Sequence, residues 1–174
     1  DTSFQIRPPK KWAEDKTLSS KNKRYIASFA SETKKSSEAG VNAYTYSAHM
    51  DVVVIEPTKE TDLNSVVLKY KNLTQKASPN TTFLKDEVLV INNEKGQLIE
   101  FINSSSQEDI ENAAKALGKK NEDIKWHENQ KSHSIYVFFI HKGYLYFVSG
   151  IALENHWSEF KNEITDSIKS FKFL

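Results

Sequence analysis

Residues 134–151 read Ser134-Ile-Tyr-Val-Phe-Phe-Ile-His141, Lys142-Gly143, then Tyr144-Leu-Tyr-Phe-Val-Ser-Gly-Ile151. Two runs dense in β-branched and aromatic residues, separated by a two-residue Lys-Gly turn, predict a β-hairpin, and it is placed at the centre of a sheet. A second pair of runs, Val88 to Ile91 and Gln97 to Ile102, flanks Asn92-Asn-Glu-Lys-Gly96 and predicts another antiparallel hairpin. Ala48-His-Met-Asp-Val-Val-Val-Ile55 is a further strand, ended by Pro57. Tyr25, Ala27 and Phe29 fall on one side of an extended segment. Phe4-Gln-Ile6-Arg is a short strand that Pro8-Pro9 keeps from continuing as a central one, and Trp12 is expected to close over the core edge.

Two segments change period. Leu63, Val66, Val67, Tyr70, Leu73 and Ala77 recur at steps of three and four, predicting a helix capped near Thr61 or Asp62 and ended before Pro79. Trp157, Phe160, Ile164, Ile168 and Phe171 do the same near the C-terminus and predict an amphipathic helix over one sheet face. Burying those five side chains contributes on the order of 10 kcal/mol in gross transfer terms, before chain entropy is subtracted. Ser106 to Gly118 reads as a short capped helix inserted between strands, within a helical insertion at about residues 104–125. The fold class expected is α+β, an antiparallel sheet with helices packed on its faces.

Composition narrows the function classes. The chain has 174 residues and is 38% hydrophobic, enough for one core, so residues 1–174 are expected to form a single domain. Net charge is +1, which argues against nucleic acid as a partner. The apolar run Ile135 to Ile140 is far shorter than a membrane-spanning helix needs. No cysteine is present, which removes disulfides, thiol nucleophiles and thiolate metal sites together. The chain begins at Asp1, as after removal of a signal or lipoprotein leader, although a trimmed chain looks the same. Three sequons begin at Asn72, Asn80 and Asn103; chance in an Asn-, Ser- and Thr-rich chain is the plainer explanation.

Both ends of the chain resemble the PsbP family. Gly143-Tyr-Leu-Tyr-Phe, Trp157 and Ser167-Ile-Lys-Ser-Phe171 follow the order of its closing signature, and Phe4-Gln-Ile-Arg-Pro-Pro-Lys-Lys-Trp12 is similar to its opening Phe-x-x-x-x-Pro-x-x-Trp. The resemblance implies the same antiparallel sheet with helices. Family members serve the oxygen-evolving side of photosystem II, and the fold also occurs in bacterial envelope lipoproteins and in a nuclear-import factor that binds the GTPase Ran. The segment around Ile110 to Lys125 has no counterpart in the family pattern.

No nucleophile elbow, metalloprotease motif, phosphate loop or dinucleotide fingerprint occurs, so no catalytic residue is assigned and a non-enzymatic role is expected; a hydrolase would need acids or a Ser-His pair brought together only in space. His49 and Asp51 share a strand face with Cβ atoms about 7 Å apart, and Glu154 and His156 stand two residues apart; either pair can supply half of a metal site. The plainer reading of Glu154 and His156 is helix entry. His133 and His141 are about 27 Å apart along one strand, too far to share an ion. Trp126, Tyr136, Tyr144 and Tyr146 gather at the central hairpin, either as a partner-binding face or as packing beneath helices. The expected function is an extracytoplasmic domain, secreted or anchored, that binds another protein or assists assembly, without a cofactor. The alternative is a metal- or small-ligand-binding module.

Overall fold

A computed structural model describes residues 3–16, 25–36, 44–55, 62–104 and 131–174 and, of Tyr25 and Tyr44, the backbone alone. The expected insertion, its helix and Trp126 lie outside these residues. In chain order the elements are β1 (Phe4–Gln5), β2 (Ala13–Glu14), β3 (Tyr25–Ala30), β4 (Lys34–Ser36), β5 (Tyr44–Tyr46), β6 (His49–Ile55), α1 (Leu63–Ala77), β7 (Thr82–Ile91), β8 (Glu94–Ser104), β9 (Lys131–His141), β10 (Tyr144–Leu153), a 3₁₀ turn (Glu154–His156), α2 (Trp157–Lys169) and β11 (Lys172–Phe173). Seven strands form an antiparallel sheet in the order β2-β3-β6-β10-β9-β8-β7, with the predicted Lys142-Gly143 hairpin at its middle. This is the α+β architecture expected from the sequence.

Both long hairpins turn on two residues with positive φ: Asn92 and Asn93 at 49° and 69°, Lys142 and Gly143 at 48° and 79°. That backbone matches the right-handed strand twist, and asparagine and glycine adopt it at low cost. Register then fixes the faces. Ala27, Val52, Val148, Val137 and Leu98 form one row across five strands, all buried in the larger core. α2 lies over that face and buries Trp157, Phe160, Ile164 and Ile168 in it, with Phe171 just past its end. Residues of opposite parity, Ile99, Phe101, Phe138 and Leu145, meet α1 through Val66 and Val67.

α1 begins where Asp62 accepts hydrogen bonds from the Asn64 and Ser65 amides. Its apolar stripe is shorter than predicted. Val66 and Val67 are buried and Leu63 and Tyr70 half-buried, but Leu73 is 59% exposed and Ala77 also faces solvent. The buried apolar positions thus lie in the N-terminal half of the helix, and the periodicity beyond Tyr70 continues onto exposed side chains. At the chain ends Phe4 pairs with Phe173 and stacks on Phe171, and Trp12 meets Phe160 edge-on while its Nε1 donates to Glu163. Trp12 thus closes the core edge as expected.

β10 and α2 approach each other closely at Gly150. A Cβ on Gly150 would stand 2.2 Å from Ile164 Cγ2. Gly150→Ala is therefore expected to lower stability by about 2 kcal/mol, read from the urea midpoint at unchanged slope. Truncation at Asn155, which removes all of α2 and β11, is expected to abolish cooperative melting; a truncated chain that still melts in one sharp transition would refute this.

Candidate functional site

Three histidines on the α2 face are each stacked on an aromatic ring and paired with glutamate. His133 is 5% exposed; its Nε2 lies 2.8 Å from Glu100 Oε1 and its Nδ1 2.5 Å from Glu154 Oε2. The His133 ring centroid is 4.0 Å from that of Trp157, with the planes nearly parallel. Lys85 Nζ reaches the other Glu100 oxygen at 3.2 Å, so Lys85, Glu100, His133 and Glu154 form one continuous run of polar contacts. Burial pushes the Glu100 carboxyl up, but the hydrogen bonds from His133 and Lys85 together outweigh it and hold the group below its ordinary value.

Glu159 performs the same service at the other end of the face. It takes a 2.7 Å bond from Lys34, a 2.6 Å contact with His156 Nδ1 and the Tyr46 hydroxyl, and these partners, Lys34 foremost, lower its carboxyl. Tyr46 stacks on His156 at 3.6 Å, so β4 and β5 are fastened to α2. His141, 3.2 Å from Glu94, stacks on Phe173 at 3.9 Å. Among the described residues, the buried donors Tyr146 Oη and Trp157 Nε1 have no hydrogen-bond partner.

The residue pairs considered as metal ligands separate into other contacts. Glu154 turns to His133 and His156 to Glu159, so they do not converge. His49 and Asp51 do share a face of β6. Asp51 accepts a 2.6 Å hydrogen bond from Ser28 Oγ, while exposed His49 places Nε2 3.2 Å from Ser47 Oγ. Burial, reinforced by the charge of Asp15, raises the Asp51 carboxyl despite Ser28 and His49. Among the described residues no group of three imidazoles or carboxylates is arranged to hold a metal ion.

The hairpin aromatics are packing residues. Tyr146 is wholly buried, which corrects its expected place on a partner-binding face: its parity points it under α2. Tyr136 is half-buried, stacked on Phe147 and against Tyr70 and Phe101, while Tyr144 packs on the α2-side core. Exposed apolar side chains gather instead on β7, an edge strand of the sheet: Leu84 is 47%, Val88 54% and Val90 69% exposed. Leu68, 60% exposed, sits one turn before Lys71, whose ammonium pairs with Asp86 of β7. The signal in the sequence was Val88-Leu-Val-Ile91, apolar at both parities where a half-solvated strand alternates. Of the sequon asparagines, Asn72 and Asn80 are exposed, whereas Asn103 accepts a 2.6 Å hydrogen bond from Thr81.

No family model and no curated protein matches the chain. Solved structures do. LpqN of Mycobacterium tuberculosis, involved in cell envelope biogenesis, matches at 7% identity over 99% of this chain and 83% of that one, with a TM-score of 0.56. PA94 of Pseudomonas aeruginosa, a protein of unknown function and putative regulator, matches at 9% identity over 98% and 82%, with a TM-score of 0.51. Cyanobacterial PsbP of Synechocystis matches at 11% identity over 100% and 94%, with a TM-score of 0.49. The chain shares the overall fold of LpqN and PA94, and its antiparallel sheet with helices is the architecture that the PsbP resemblance implied.

Two carboxylates should respond oppositely to pH. Glu100, with a depressed carboxyl, contributes stability that is present above its ordinary value of 4.5 and lost as pH falls below it. Asp51, with a raised carboxyl, opposes folding increasingly as pH climbs above 3.8. Glu100→Gln is expected to cost about 3 kcal/mol at pH 7, because it leaves His133 and Lys85 without their buried counter-charge. Asp51→Asn is expected to raise the urea midpoint at pH 7. Both differences from wild type shrink toward pH 3; an Asp51→Asn chain less stable than wild type at pH 7 would contradict the assignment.

Proposed function

We propose that the chain is a non-enzymatic binding domain acting at the cell envelope, which holds an extended apolar segment of a partner protein along β7. The observation that carries this reading is the exposed apolar half of a long edge strand. β7 runs ten residues and its charges, Lys85, Asp86 and Glu87, stand together beside a bulge at Phe83/Lys85, leaving Val88 to Ile91 without a charged residue and Val88 and Val90 exposed. In a two-residue hairpin the residues flanking the turn, Ile91 and Glu94, bond to each other, so the backbone groups of Val90 and Val88 point outward. Their exposed side chains would meet the partner's on the sheet face, and the added strand would satisfy their amides and carbonyls.

A non-catalytic role is supported by the carboxylates and imidazoles on the α2 face, which are committed to one another in pairs. The envelope setting is supported by the fold shared with LpqN, a protein of envelope biogenesis. No helix among the described residues is long and apolar enough to cross a membrane.

The immobilised chain, exposed to detergent-solubilised envelope extract, is expected to retain one dominant protein. The folded double variant Val88→Lys with Val90→Lys should retain about tenfold less, as charges replace apolar contacts at the interface centre. Amide exchange at Val88 and Val90 should slow in the complex. Undiminished capture by the variant, or unprotected β7 amides, would move the surface elsewhere. A dimer of the free chain that the variant dissolves would make a second copy the occupant.

A further inference from the structure

β1 and β11 bring the two ends of the described chain together, and two adjoining clefts open beside them. The smaller, about 580 Å³, is lined by Gln5, Arg7, Asn92, Lys169, Ser170 and Lys172, with Ile6 at its wall. That volume is within the ordinary range for small-ligand sites. Its charged residues are three cations and no acid. Neither Arg7, Lys169 nor Lys172 has a carboxylate within ion-pairing distance among the described residues. The larger cleft, about 810 Å³, shares Arg7, Lys169 and Ser170 and carries Glu163 and Asp166. Glu163 is taken by the Trp12 indole at 2.8 Å.

The frame around these cations is fixed while their charges are not. The Arg7 amide donates to Ser170 Oγ at 2.8 Å, Ser167 Oγ donates to the Arg7 carbonyl, and Ser170 Oγ donates to the Ser167 carbonyl at 2.6 Å. Asn92 Nδ2 donates to the Phe171 carbonyl at 2.7 Å and holds the β7–β8 turn against the same wall. α2 ends here, and the negative end of a helix repels anions. Two of its last carbonyls, Ser167 and Ile168, are capped by the Ser170 and Phe171 amides, which blunts that field. Three unneutralised cations on a rigid wall suit a multiply charged tetrahedral anion: a guanidinium can grip two oxygens and the ammonium groups serve as point charges.

We propose that this cleft binds a phosphate group, with Arg7 as the bidentate arm and Lys169 and Lys172 as flanking charges. The group can be a soluble phosphate or a phospholipid headgroup, and two arms of one experiment separate them. In the first, inorganic phosphate is titrated against the full chain at constant ionic strength and the melting temperature is followed, with sodium chloride as control. In the second, the chain is floated with vesicles of phosphatidylglycerol or of phosphatidylcholine. The expected result is a saturable rise with phosphate, or flotation with phosphatidylglycerol alone, weakened about fivefold or more by either Arg7→Gln or Lys172→Gln. Both side chains are exposed, so the variants should melt like wild type without phosphate. A response in the first arm alone assigns a soluble ligand, and in the second alone a headgroup. No response in either arm, or one that both variants leave intact, overturns the proposal.

Discussion

At Gly150 the backbone of β10 and the side chain of Ile164 meet with no room for a methyl group between them, and the placement of α2 follows from that contact. With Ile164 seated there, the helix periodicity sets Trp157 one end of the face away, flat against His133, and carries Phe160 toward Trp12 and Tyr46. Beyond the last turn Phe171 falls between Phe4 and Phe139, and Phe173 reaches Tyr146. One close approach in the sheet's central strand therefore positions the C-terminal aromatics, and through them the N-terminal strand β1.

The same face explains why charged groups lie where a core would be expected. Glu100 and His133 occupy inward positions of β8 and β9 opposite Ile135 and Ile102, positions where parity asks for apolar side chains. Each is tolerable because the other is present and because Lys85 and Glu154 extend the polar contacts to more exposed groups. Removing one member exposes the desolvation cost of the rest, whereas the intact chain of charges satisfies its hydrogen bonds. Asp51 on the opposite face accepts a hydrogen bond from Ser28, which does not offset the burial that raises its carboxyl.

Sequence periodicity located both hairpins, both helices and Trp12, because each of those signals is local: turn residues, β-branched runs and a three-to-four spacing. It failed wherever the outcome depended on which elements become neighbours. Leu73 continues the stripe of α1 as faithfully as Val66 does, yet it is exposed where Val66 is buried. Glu154 and His156 stand two residues apart in sequence, but the 3₁₀ turn aims them at different partners, one on β9 and one on α2. Tyr136, Tyr144 and Tyr146 look alike as hairpin aromatics, and only the packing of α1 and α2 decides that they face inward. The pairing of His133 with Glu100 spans 33 residues and has no sequence spacing that announces it.

Outside the α2 face, with its own paired polar groups and rings, two surfaces, the β7 edge and the cationic cleft, meet at one corner. The apolar half of β7 ends at Ile91, the next residue is Asn92, and Asn92 lines the cationic cleft while holding Phe171. Edge strand and cleft are thus joined by a single side chain at a two-residue turn whose backbone is fixed by positive φ at both positions. The apolar and the cationic surfaces consequently keep a constant spacing relative to each other, set by the same turn that sets the β7–β8 register. A surface that combines edge-strand backbone, exposed aliphatics and adjacent positive charge offers the groups by which an extended segment or an anion is recognised.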